Sequence, residues 1–155
     1  MSTEFGSRPL PAGADNPTVI GEVIRRTGVD VREDATRETM VEAFTTARID
    51  LSVDECLPAA QEWRPDLIVH DRMDYVGPFL AAACDVPAAV HTFGSDVSAD
   101  FIRAATERAV TDFERRGVRW RNARWVLDIC PPCTPIPTCS VRSSANWQRG
   151  VLACG

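Results

Sequence analysis

RPDLIVHDRMDYVGPFLAAACDVPAAVHTFG, residues 64–94, decides how the rest of the chain is read. Pro65 biases Arg64 away from helix, so Arg64-Pro65-Asp66 punctuates the chain. Leu67, Ile68 and Val69 then run apolar without a break, the pattern of a strand buried on both faces. The run ends in His70, Asp71, Arg72 and Asp74, which form either a solvated turn or one wall of a binding crevice. Residues 75–84, YVGPFLAAAC, are short and rich in helix-forming Ala and Leu. A second strand is expected from Pro87 to Thr92. Strand, short helix, strand is a βαβ unit, and its crossover returns the chain to the sheet edge it left. The two strands are therefore expected to be parallel.

Outward from this unit, SDVSADFIRAATERAVTDFERRG (95–117) carries the strongest helix signature in the chain. Ser95 or Ser98 caps its start, and Asp96 and Asp100 suit the positive end of the helix dipole. Ile102, Ala105, Ala109 and Phe113 form its buried stripe, and Gly117 stops it. Upstream, Met40, Phe44, Ala47 and Leu51 recur at helical spacing and predict one apolar stripe. Pro58 either kinks that helix or opens a second short one ending near Trp63. Residues 1–17 read as a Gly/Pro lead-in loop. Downstream, Trp125 to Ile129 is a third strand candidate. The expected organisation is a Rossmann-like parallel α/β domain over residues 18–133, followed by an irregular, disordered Cys/Pro-rich tail over 134–155.

Composition sets limits on function. The chain has 155 residues, enough for one domain with one core, and 45% apolar and 25% charged residues, ordinary for a globular protein. All 17 basic residues are arginine, which reads as a trace of GC-rich coding, and the net charge of −5 gives no support to wholesale nucleic-acid binding. No apolar run approaches the roughly 18 residues of a membrane span. MSTEFGSRPLPAG lacks the basic start and apolar stretch of a secretion signal. The expected location is the cytoplasm, with the six cysteines reduced.

In an open parallel sheet, ligands bind in the crevice outside the carboxyl ends of the strands. Those ends are HDRMD (70–74) and HTFGSD (91–96). The charged cluster after the first strand thus lies where an α/β sheet presents loops to a ligand, and His91 falls at the matching point of the next strand.

WRPDLIVHDRMDYVGPFLAAACDVPAAVHTFG resembles the acceptor-binding half of GT-B glycosyltransferases. The nearest group is the actinobacterial enzymes that attach deoxysugars to macrolide and anthracycline aglycones. The shared pattern is an aromatic-x-Pro-Asp entry, an apolar strand ending in Asp, a Gly-bearing Ala-rich helix, and Val-Pro opening the next strand. LDICPP at 127–132 resembles a later segment of the same domain, so the likeness runs over roughly residues 55–133. The resemblance implies inverting transfer of a sugar from a nucleotide donor, with a histidine base held in its working tautomer by an Asp. Asp71 matches that Asp, and Asp74 is a weaker substitute. Met73 to Gly77 and His91 to Ser95 would form an apolar acceptor cleft. Tyr75 and Phe93 would be its walls, with Thr92 and Gly94 among the contacts. No metal or organic cofactor is implied, because in the family protein groups of a second domain meet the donor phosphates.

The chain departs from the family pattern in two places. Residues 1–35 hold no histidine, so the loop bearing the base is absent, and no Gly/His-rich nucleotide-sugar segment follows. His70 alternates away from Asp71 and is expected to be packed or hydrogen-bonded. The expectation is a truncated, partial or frame-shifted piece of an enzyme. It would bind a small aglycone, meet the donor only through a missing C-terminal domain, and be inactive alone. The rival reading is a non-catalytic α/β binding or interaction module. Cys130-Pro-Pro-Cys133 has redox spacing, but the prolines that follow forbid the helix which that chemistry needs. Cys130, Cys133, Cys139 and Cys154 make a poor zinc set. ERRGVRWRNARW, with five arginines and two tryptophans, invites a nucleic-acid reading that an exposed helix end explains more simply.

Overall fold

The computed structural model describes residues 13–92, 97–128 and 140–143. The first helix, α1 (Asn16–Thr27), begins inside the expected lead-in. Asp15 caps it, accepting from the Thr18 N–H at 2.9 Å, Pro17 lies in its first turn, and Gly28 closes it at φ 75°.

The predicted single stripe over Met40 to Leu51 is divided between α2 (Arg37–Phe44) and α3 (Thr46–Trp63). The break falls at Thr45, which is fully buried with φ −109° and ψ −94° and whose hydroxyl donates to the Val41 carbonyl at 2.7 Å. This turn changes which residues face inward. Ala43, Ala47, Ile49 and Val53 are buried, whereas Met40, Phe44 and Leu51 are only half-buried. Pro58 neither ends α3 nor opens a new helix. It is exposed, so the Asp54 carbonyl left without an amide donor lies on the solvent side.

The βαβ unit forms as β1 (Ile68–Asp71), α4 (Val76–Ala83) and β2 (Ala88–Thr92). Then come α5 (Ala99–Arg115), β3 (Trp125–Asp128) and β4 (Ser140–Ser143). Ser98 is the α5 cap, accepting from the Phe101 N–H at 3.3 Å, and Gly117 turns the chain at φ 73°. The sheet order is β1-β2-β3-β4, parallel across the first three strands and antiparallel at β3–β4.

Two expectations are corrected. Residues 140–143 were expected to lie in an irregular tail, yet they add a strand to the sheet. Four residues are too few to show a period, and the free edge of β3 supplies the ladder. The remainder of that tail, and Ile129, lie outside the described residues. The second correction is that β1 is not buried on both faces. Val69 is 54% exposed and Leu67 41%: among the described residues β1 ends the sheet order, and α4 covers the opposite face, the one bearing His70.

The main core joins Ile49 and Val53 of α3, Tyr75 and Phe79, and Ala105, Ala109 and Phe113 of α5. The Phe79 and Phe113 rings meet edge-on at 5.0 Å between centroids. A smaller cluster of Val19, Val23, Ala43 and Ala47 ties α1 to the rest.

Candidate functional site

Parallel pairing sets Asp71 directly beside His91 at the carboxyl ends of β1 and β2. Asp71 Oδ1 accepts from the Met73 N–H at 2.7 Å, and the Asp71 carbonyl accepts from the Asp74 N–H at 3.1 Å. That tight turn redirects the chain into α4. Asp74 then caps α4: its Oδ1 accepts from the Val76 N–H at 2.8 Å and from the Gly77 N–H at 3.2 Å. Asp74 is thus held in place by the helix it starts.

Gly77 is required by close approach rather than by backbone angle. A Cβ there would lie 2.6 Å from the His70 Cβ and 2.8 Å from Asp74 Oδ2. His70 itself is packed under α4. Its Nδ1 donates to the Asp71 carbonyl at 2.7 Å, while Nε2 is buried without a hydrogen-bond partner. The carbonyl can only accept, so in the neutral ring Nε2 carries the lone pair.

Beside α4 a cleft of about 430 Å³ opens on the sheet face that carries His70, Val90 and Val126. Tyr75 and Pro78 form one wall, Ile102 and Thr106 of α5 another, and Trp120 to Ala123 cross one end. Arg72 and Asp74 rim it at the β1 exit. The Tyr75 hydroxyl lies 3.5 Å from Thr106 Oγ1, and burial pushes its pKa up, so the phenol is a neutral donor and acceptor. A mostly apolar pocket of this size with a few convergent polar groups suits a small organic molecule.

Of the residues singled out from sequence, Asp74 and Tyr75 line this cleft and Gly77 lets α4 close over it. Asp71 and His91 sit together one strand position further on, their Cβ atoms on the face opposite His70 and Val90. Met73 contributes its N–H to the Asp71 turn. Thr92 Oγ1 donates to Asp128 Oδ1 at 2.9 Å, which joins β2 to β3. Phe93 and Gly94 lie outside the described residues.

Val90, Thr106, Trp120 and Val126 of the cleft were missed. Trp120 had been grouped with the five arginines around it, but four of these are engaged within the chain. Arg115 reaches Asp112, Arg116 reaches Asp50 and Asp54, Arg121 pairs with Asp85, and Arg124 lies over the Trp125 ring. Thr106 did carry a signal, a polar residue one helical turn after Ile102 beside the buried stripe.

A parallel Rossmann-like sheet with its candidate residues at the strand exits is the architecture of the GT-B glycosyltransferases, and solved structures of that class overlay on the chain. Streptomyces nogalater glycosyltransferase SnogD matches with a TM-score of 0.58 and 25% identity, over 81% of this chain and 32% of that one. Streptomyces sp. SF2575 glycosyltransferase SsfS6, complexed with thymidine diphosphate, matches with a TM-score of 0.59 and 22% identity, over 81% and 36%. The chain belongs to the erythromycin biosynthesis protein CIII-like family, N-terminal domain, which matches residues 19–141. Tylactone mycaminosyltransferase of Streptomyces fradiae is 30% identical over 134 residues, 81% of this chain. The chain spans 28% of that relative's length. Among the described residues, no helix is long and apolar enough to cross a membrane.

Proposed function

We propose that this chain is the acceptor-binding part of a cytoplasmic, inverting glycosyltransferase that glycosylates a natural-product aglycone. The observation that carries the reading is the family match across residues 19–141, which takes in both strand exits and the cleft. The aglycone sits in the cleft between Tyr75, Trp120 and the Val90–Val126 sheet face. Its reacting hydroxyl points toward the β1 exit, with Met73, Asp74, Gly77 and Thr92 shaping the approach. Asp71 is a positioning carboxylate: it holds a base brought to the exit, with His91 beside it. The acceptor oxygen attacks the anomeric carbon as the bond to the nucleotide diphosphate breaks. The hydroxyl proton passes to the base, and the diphosphate departs from the opposite side. Polypeptide outside these residues binds the donor, and its own groups meet the phosphates without a metal.

The test is titration of the chain with tylactone, followed by Trp fluorescence, with and without a thymidine-diphosphate sugar. Saturable binding of the aglycone alone, weakened at least about tenfold by Trp120→Ala, supports the reading. Failure to bind any macrolide or polyketide aglycone overturns it. The alternative, a non-catalytic interaction module, would bind neither aglycone nor nucleotide sugar. With a donor half supplied in trans, Asp71→Asn is expected to lower kcat by about 100-fold or more while leaving aglycone affinity unchanged.

A further inference from the structure

Most polar side chains around the cleft are already committed within the chain. Asp74 is held by the first amides of α4, Arg121 pairs with Asp85, Asn122 accepts from Trp120 Nε1 at 3.0 Å, and Arg72 is engaged as well. His70 Nε2 is buried and offers a ligand no polar contact. Tyr75 and Thr106 differ. Their hydroxyl oxygens lie 3.5 Å apart, beyond the roughly 2.5–3.0 Å of a normal O–H···O bond, and neither has another partner among the described residues. Thr27, Thr45 and Thr111 each turn the hydroxyl back to the carbonyl four residues earlier, at 2.8, 2.7 and 3.2 Å. Thr106, on the same helix as Thr111, instead turns its hydroxyl toward Tyr75. The Tyr75 ring is 3% exposed and packed into the core beside Trp120, so its hydroxyl is fixed in place.

We propose that the Tyr75 and Thr106 hydroxyls together read one uncharged oxygen of the acceptor, a ketone or hydroxyl on an otherwise apolar ring system. The inference rests on the cleft being the aglycone site. Two hydroxyls 3.5 Å apart leave room for a third oxygen about 2.8 Å from each, so both gain the full-strength bond they cannot give each other. Each hydroxyl rotates to donate or accept. A ketone therefore takes two donated bonds, and a hydroxyl takes one and gives one. A methylene at that point would leave the pair without a good partner in an apolar wall, so the pair selects for oxygen there. One oxygen held between α4 and α5 also fixes which edge of the aglycone faces the β1 exit.

Titration of the full chain, Tyr75→Phe and Thr106→Val with tylactone, and with analogues each lacking one of its oxygens, tests this. Tylactone is expected to bind either variant at least about tenfold more weakly, with the urea midpoint little changed because the contact removed is long. One analogue should bind the unaltered chain with a similar loss and lose nothing further in either variant, since the oxygen they serve is already gone. Thr106→Ser keeps the hydroxyl and should bind tylactone within about threefold of the unaltered chain. Tylactone binding indifferent to both hydroxyls, or a loss that is the same for every analogue, overturns this inference and leaves the cleft as the aglycone site. Failure of the unaltered chain to bind any macrolide or polyketide aglycone overturns the underlying reading, and this inference with it. Should Tyr75→Phe fail to fold, Thr106→Val and Thr106→Ser decide alone.

Discussion

The two sides of this molecule are finished to different degrees. On the helical side, charges interlock between elements. Arg26 of α1 reaches Glu42 of α2 and Asp50 of α3, both at 3.0 Å, and Arg116 at the end of α5 reaches Asp50 at 2.9 Å. Asp112, only 1% exposed, accepts from Thr46 Oγ1 at 2.7 Å and from Arg115 at 2.5 Å. Beneath these pairs the aromatic core closes on Phe79 and Phe113. At the outer edge of the sheet, Leu67 and Val69 face solvent and the ladder has no further strand among the described residues. Polar partners pin the helices to one another, whereas the outer face of β1 is exposed among the described residues. Stability should therefore reside in the helical side.

The largest expected effect is in the core. Phe113 is fully buried between Phe79 and Trp120, and Phe113→Ala is expected to cost about 3–5 kcal/mol in urea unfolding, a large share of a domain's stability. A loss below about 1 kcal/mol would show that the aromatic cluster is not where the fold is held. Asp112→Ala comes next. It removes a buried acceptor and leaves the Thr46 hydroxyl without it, at about 2 kcal/mol. The cost stays moderate because Arg115 is itself more than half exposed and regains solvent. A double-mutant cycle with Thr46→Val should show coupling between the two, and additive losses would break the pairing.

Gly77→Ala tests the join between the two sides. The new methyl would meet the His70 Cβ at 2.6 Å, so α4 must shift away from β1, at about 1–3 kcal/mol. Because α4 carries Tyr75 and Pro78 to the cleft, aglycone affinity is expected to fall with stability. Acid probes the ion pairs more gently. Burial pushes the Asp50 carboxyl up, but hydrogen bonds from Arg116 and Arg26 outweigh it and hold the group below its ordinary 3.8. Glu22, bonded to Arg25 and Arg26, is drawn from 4.5 to about 2. Both folded-state values lie below the unfolded ones, so their stabilisation is present above about pH 4.5 and is lost as pH falls toward 2. Asp50→Asn should flatten this acid limb in a plot of urea midpoint against pH. An unchanged limb would assign acid loss to other carboxylates.

The same division explains what could be read from the residues alone. α4, β2 and α5 were legible because period, cap and stop signals agree locally, from Ser98 through the Ala105–Phe113 stripe to Gly117. The neighbourhood of Asp71 and His91 followed from parallel pairing, which needs only strand spacing. The break at Thr45 was not legible, since a threonine within an apolar period gives no local warning that the helix is interrupted. β4 depends on a ladder that only β3 can offer. The far wall of the cleft, Thr106 and Trp120, is set by how α5 crosses the sheet, a tertiary fact with no local signature. LIV read as doubly buried because apolarity reports what a strand is able to bury, not whether a neighbour is there to bury it.

The smallest expected effect concerns that edge, and it is the sharpest test of the contrast. Val126 and Val69 are the same residue type in the same sheet, one 5% exposed and the other 54%. Val126→Ala should cost about 1–2 kcal/mol, because it removes buried methyls beside the cleft. In dilute protein Val69→Ala should change stability by less than about 0.5 kcal/mol, since its methyls already meet water. Equal losses at the two positions would mean that the β1 face is covered within the isolated chain. The division between a closed helical side and an exposed β1 face would then fail.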